Sequence, residues 1–248
     1  MAAALPSDQP VYEIWWPNVD DQVHYPTVEQ LADRFLPEIR KLQPQGPYQF
    51  CGYSTFGLVA YEMGRRLIAE GQDVSFLALF DIWHPQFLDT LTGPERARYK
   101  ALRVIDRLGK YRRAFKAGGV SKMMSHLAEF AINKARSVGW RLTQSGFRLA
   151  GRPIPKGMQT VASIAANKTY VPSPYPRRFI LIRTEDLLDR KLNDCTVGWD
   201  ECAPSGIDLY FIDGDHGTIK DEPFVRGLVE RISPHLAAAP ISSTDRTP

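Results

Sequence analysis

Residues 46–81 read GPYQFCGYSTFGLVAYEMGRRLIAEGQDVSFLALFD. Tyr48–Tyr53 is a short apolar run suited to a strand. From Thr55 to Glu70, Leu58, Tyr61, Leu67 and Ile68 recur at helical spacing, and Gly71 is a stop signal. Val74–Phe80 (VSFLALF) is almost wholly apolar, as in a strand covered on both faces. Strand, helix and strand in that order predict a βαβ unit with parallel strands.

Ser54 falls where the first strand turns into the helix, with Gly52 two residues earlier. A serine on a sharp strand-to-helix turn has its hydroxyl lifted above the sheet and the positive end of a helix aimed at it. The tripeptide Gly52-Tyr53-Ser54 alone reads more readily as an ordinary serine N-cap. Asp81 follows the second strand directly and belongs at its carboxyl end, where sites of open α/β sheets form. By itself it also reads as a turn or cap residue. A third element lies far downstream, where His216 follows the apolar run Ile207–Ile212 through Asp213-Gly214-Asp215. A histidine there can take the serine proton while Asp81 fixes its tautomer. The order Ser54, Asp81, His216, each at the end of an expected strand, makes these three the candidate catalytic residues.

Around this unit the chain reads as one α/β domain. Pro10–Trp16 (PVYEIWW) is expected to be a buried strand. Val28–Leu42 is expected to be a helix, with Thr27 and Gln30 forming a capping box and Pro37 bending it. Residues 84–157 form a helical insertion rich in Lys and Arg, with Gly118-Gly119 as a breaker. Gln159–Tyr170 (helix), Arg178–Arg183 (strand), Ile207–Ile212 (strand) and Pro223–Leu236 (helix) follow, and residues 237–248 read as a disordered tail. The fold class is α/β, a doubly wound, mostly parallel sheet with a helical lid.

Composition narrows the function. An apolar fraction of 44% and a charged fraction of 24% are those of an ordinary globular protein. A net charge of +3 is too small to argue for nucleic acid. No apolar run reaches the roughly 20 residues of a membrane span, and the start lacks a secretory pattern. Cys51, Cys195 and Cys202 have no metal-ligand spacing and suit a reducing cytoplasm. No metal and no cofactor are expected. His24, His84, His126 and His235 read as structural, although His84 lies close enough to Asp81 to line a site.

The segment 46–81 resembles the thioesterase domains that end nonribosomal peptide and polyketide synthetases, and their stand-alone relatives. The late segment VGWDECAPSGIDLYFIDGDHGTI, ending in the Asp215-His216 pair, is similar to the same family. The resemblance implies an α/β-hydrolase fold and a Ser54–His216–Asp81 mechanism. The implied substrate is an acyl group on the phosphopantetheine arm of an acyl or peptidyl carrier protein. Thr55 would give its backbone N–H to the oxyanion hole. The family has glycine where this sequence has Phe56, so the phenyl ring is expected to turn into the acyl pocket or push the helix away. Family members also begin with an additional strand and a histidine-proline-glycine loop that gives a second oxyanion donor. This sequence starts at the following strand, which leaves that donor without a source. A catalytically weak binding module and a serine esterase are the alternative readings. The basic stretch from Arg96 to Lys116 is expected to face an acidic carrier protein.

Overall fold

In a computed structural model of the chain, residues 5, 9–14, 25–184 and 194–236 are described. Four strands form one sheet: β1 (Tyr48–Tyr53), β2 (Val74–Phe80), β3 (Phe179–Thr184) and β4 (Ile207–Ile212). They lie in the order β1-β2-β3-β4, and each neighbouring pair is parallel.

Side chains alternate across a strand, and the two faces of the sheet therefore carry separate cores. Leu77, Leu79, Phe179 and Leu181 pack with α1 (Val28–Leu42) and α2 (Thr55–Ala69). Phe76, Ala78, Phe80, Ile180 and Ile182 pack with Leu228 and Ile232 of α6 (Phe224–Ile232), the last α-helix described. Both faces are covered, which is why β2 and β3 read as near-continuous apolar runs.

α1 begins as its sequence implies. Gln30 N–H donates to the Thr27 hydroxyl and the Gln30 side chain accepts from Thr27 N–H. It runs through Pro37 as one helix rather than ending there. One expectation fails: residues 10–14 form no strand and are exposed, with Tyr12 at 72%. Apolar composition favours a strand only where a sheet edge accepts it, and among the described residues no strand pairs with these. The other residues of the expected strand, 15–16, and the expected tail, 237–248, lie outside the described residues.

Between β2 and β3 come a short α3 (Phe87–Thr90), then α4 (Gly93–Leu149), then α5 (Gln159–Thr169). α4 is broken where the glycine pair stands: Gly119 has φ +65°, and Gly118 is also non-helical. The Arg107 guanidinium stacks 4.0 Å over the Phe130 ring. These residues are nearly equidistant from the break, so 93–117 and 120–149 fold back as a helical hairpin. A small separate core joins the second helix of the hairpin to the segment that follows it, with Trp140, Ile154 and Ala162 of α5 buried together.

Candidate active site

The first strand ends at Ser54, whose backbone is at φ +53° and ψ −132°, a region that non-glycine residues rarely occupy. The serine stands at the N-cap position of α2 but makes no capping hydrogen bond. That removes the simple N-cap reading, because the side chain is not used to satisfy the helix. The turn is tight enough to exclude side chains. A Cβ on Gly52 would lie 2.5 Å from Gly57 Cα and 2.7 Å from Phe56 O. A Cβ on Gly57 would lie 3.1 Å from Ile82 Cγ2 and 3.2 Å from Gly52 O.

This corrects the expectation for Phe56. The residue packed where helix meets strand is Gly57, one position later. Phe56 is 39% exposed and is not among the residues lining the cavity. Its ring does not line that cavity, and α2 begins at Thr55 with Phe56 in its first turn. Thr55 does line the cavity.

Asp81 follows β2 and also has a positive φ, +49°. Ser54 N–H donates to Phe80 O at 3.0 Å, and Asp81 N–H donates to Ile182 O at 2.8 Å. The ends of β1, β2 and β3 are thereby stitched together just where the side chains must meet. His216 reaches the same point from the loop after β4. Its Nδ1 lies 2.6 Å from Asp81 Oδ2. A carboxylate only accepts, so the proton sits on Nδ1 and Nε2 is left as a base.

Asp81 is held on its other oxygen as well. Thr184 N–H and Thr184 Oγ1 donate to Asp81 Oδ1 at 3.2 and 3.1 Å. Burial pushes the Asp81 carboxyl up, but the hydrogen bonds from His216 and Thr184 outweigh it and hold the carboxyl below its ordinary value. The hydrogen bond to Asp81 raises His216 above the ordinary histidine value, against an opposing effect of burial.

Two supporting residues escaped the sequence reading. Thr184 closes β3, and its only signal is a hydroxyl at the carboxyl end of an apolar strand. Tyr53 stacks on the His216 ring with centroids 5.0 Å apart, and its hydroxyl donates to the His216 carbonyl. The tyrosine before the serine thus fixes the histidine from across the sheet.

Ser54, Thr55, Asp81, His84, Asn167 and His216 line one cavity of about 390 Å³, with Leu58, Ile82, Trp83 and Ile164 among its apolar walls. His84 is part of this wall. Its Nε2 lies 3.5 Å from Cys202 Sγ and its ring stands edge-on to Trp199. Burial pushes its imidazole below the ordinary value, which favours the neutral ring. His235 pairs with the Tyr210 hydroxyl at 3.0 Å, and His126 lies 3.9 Å from Glu129 on the hairpin. His24 lies outside the described residues.

A family model described as "Thioesterase domain" matches residues 1–236. The chain is 26% identical to a non-reducing polyketide synthase of Pseudevernia furfuracea over 248 residues, 95% of this chain and 11% of that one. A vanchrobactin synthetase of Vibrio anguillarum is 43% identical over 60 residues, 24% of this chain and 2% of that protein. The chain thus spans about a tenth or less of these relatives. Among solved structures it is similar to the NocB thioesterase domain in covalent complex with a fluorophosphonate nocardicin G analogue. There the TM-score is 0.52 at 22% identity, over 86% of this chain and 76% of that one. A four-domain nonribosomal peptide synthetase gives a TM-score of 0.51 at 24% identity, over 84% of this chain and 16% of that one. The shared fold is that of the α/β-hydrolases.

Proposed function

Since the chain belongs to the thioesterase domain family, we propose that it releases acyl, peptidyl or polyketide chains from a carrier-protein thioester, with Ser54 as nucleophile. The observation that carries this reading is the strained, uncapped Ser54 in one cavity with an Asp81–His216 pair at 2.6 Å. Each part suits the chemistry. His216 Nε2 takes the Ser54 proton as Oγ bonds to the thioester carbon. The carbonyl π electrons move to oxygen, where the Thr55 backbone N–H faces them from the positive end of α2. As the carbonyl reforms, the C–S bond breaks and the leaving sulfur takes the proton from His216. Water, or a nucleophile within the chain, then releases the acyl group by the same steps in reverse. Asp81 stays ionised throughout, because Thr184 and His216 hold its carboxyl low.

The proposed partner is the carrier protein, met by the basic hairpin. Residues 93–149 carry 14 Lys and Arg against three acids, a formal +11, while the chain carries +3. The rest is therefore at −8, and an acidic partner is steered to the hairpin rather than to the body. Both ends of the hairpin lead into the cavity walls at Leu88 and Ile164, where a tethered acyl arm arrives.

The test is Ser54→Ala with fluorophosphonate labelling. Wild type is expected to carry the label on Ser54 and to hydrolyse acyl thioesters, and Ser54→Ala to lose both with its thermal unfolding unchanged. Turnover that survives in Ser54→Ala would overturn the assignment. Faster cleavage of oxygen esters than of matched thioesters would make the chain an esterase.

A further inference from the structure

Asn167 and Thr55 meet across the cavity wall. Asn167, in the last turn of α5, donates from Nδ2 to Thr55 Oγ1 at 2.8 Å. Both residues line the cavity beside Ser54. A threonine hydroxyl has two acceptor positions and one proton. Because the Asn167 amide nitrogen can only donate, the hydroxyl is the acceptor in this pair and its own proton points elsewhere. Among the described residues no acceptor takes that proton.

We propose that the Thr55 hydroxyl is the second donor of the oxyanion hole, aimed by Asn167. Thr55 then supplies two hydrogen bonds to one oxygen, from its backbone N–H and from Oγ1. The inference rests on Ser54 being the nucleophile. When Ser54 Oγ bonds to the carbonyl carbon and the serine proton passes to His216, the carbonyl π electrons become the oxyanion lone pair. That oxygen accepts from both Thr55 donors. No proton is transferred to it, and both hydrogen bonds weaken again as the C–S bond breaks.

The mounting of Asn167 makes it a positioning residue. Three residues on, the Tyr170 hydroxyl donates to Glu62 Oε2 at 2.8 Å in the interior. Glu62 is buried in α2 and held by Arg65 at 2.9 Å and Arg66 at 2.6 Å. Gln86 Nε2 donates to Tyr170 O at 2.7 Å. The end of α5 is thus fastened to the helix that carries Thr55 and to the loop after β2. An asparagine on a rigid mount can hold a hydroxyl rotor in one orientation.

The experiment compares Thr55→Val, Thr55→Ser, Asn167→Ala and the double variant Thr55→Val/Asn167→Ala. Each is measured on a short-chain acyl thioester and by inhibition with a boronic acid, whose tetrahedral adduct mimics the oxyanion. Thr55→Val keeps shape and backbone N–H but loses the hydroxyl. It is expected to lose roughly 100-fold in kcat, the scale of one oxyanion donor, with KM within about twofold. Boronate affinity is expected to fall by a similar factor. Thr55→Ser recovers most of that loss. Asn167→Ala is expected to cost roughly tenfold, and the double variant no more than Thr55→Val alone. Three results would overturn the inference: wild-type kcat in Thr55→Val, a loss confined to KM, or additive losses in the double variant. If Ser54 takes the fluorophosphonate label while Thr55→Val turns over normally, this inference alone fails. If Ser54 is never labelled, the nucleophile assignment fails with it.

Discussion

Gly52 and Gly57 face each other at the elbow with no room for a methyl group, whereas Gly146, well along the second helix of the hairpin, has nothing within 4 Å of where its Cβ would be. The same residue type is used in opposite ways. At the sheet top it permits close approach of backbone to backbone, and the site inherits its precision from that contact. On the hairpin it is a weak helix former in an open place. The side chains follow the same division. Asp81 is 9% exposed and has both oxygens engaged, while exposed Val104, Leu108, Val120 and Leu142 stand among the basic residues of the hairpin. A stiff, satisfied site and a permissive, cationic arm respond differently to substitution.

The contrast is tested most severely at Asp81. Asparagine tolerates a positive φ, so Asp81→Asn removes charge without a backbone penalty. Turnover is expected to fall by roughly 10⁴-fold, as for other triads that lose their tautomer control. The pH response gives a second reading. His216 is raised chiefly by its hydrogen bond to Asp81, and it acts as a base only when neutral. The acid limb of kcat/KM is expected above the ordinary histidine value in wild type. In Asp81→Asn the His216 ring is expected to titrate at lower pH by NMR. An unchanged titration would mean that the pair is not coupled.

Next in size is Gly52→Ala. The new methyl meets backbone atoms of Phe56 and Gly57, which cannot rotate away. A destabilisation of about 1–3 kcal/mol or more is expected, together with slower fluorophosphonate labelling. Thermal unfolding and labelling rate check both. A neutral result would mean that the elbow is as permissive as the hairpin.

Reversing Arg103, Arg107 and Arg112 to Glu acts on the other region. Turnover of carrier-bound acyl groups is expected to fall by roughly tenfold at low salt, and less as salt rises. A small uncharged thioester is expected to be cleaved as before. Equal loss on both substrates would place the damage in the fold.

The smallest expected effects are on the open positions. Gly146→Ala is expected to stabilise by about 0.5–1 kcal/mol, read as a small rise in Tm. Phe56→Ala is expected to leave turnover within about twofold, since the ring is half-exposed and outside the cavity. A large gain in activity would restore the view that the phenyl ring obstructs the site.

Much of this arrangement was legible in the sequence because each signal was local. The run Val74–Phe80 announces a strand with both faces covered, and Thr27 with Gln30 announces the start of α1. Ser54, Asp81 and His216 could be placed because each follows an apolar strand. What was not legible depends on neighbours. PVYEIWW is apolar enough for a strand, yet residues 10–14 find no sheet partner. Phe56 was misread because the spacing of a motif was taken for the spacing of a contact, and Gly57 makes the contact. Thr184 and Asn167 carry no sequence signal beyond being polar at the ends of their elements. Their value comes from what the fold places 3 Å away.

The order β1-β2-β3-β4 means that the described sheet follows the chain from one edge to the other. The residues of β1, α2 and β2, with Ser54 among them, are therefore synthesised before those of β3 and β4. Asp81 and His216 are separated by 135 residues. At about 5–20 residues per second this is on the order of 10 s of synthesis. During that interval a nascent chain carries Ser54 without His216. If Ser54 is the nucleophile and His216 its base, a chain that stops short of β4 is expected to leave thioesters uncleaved.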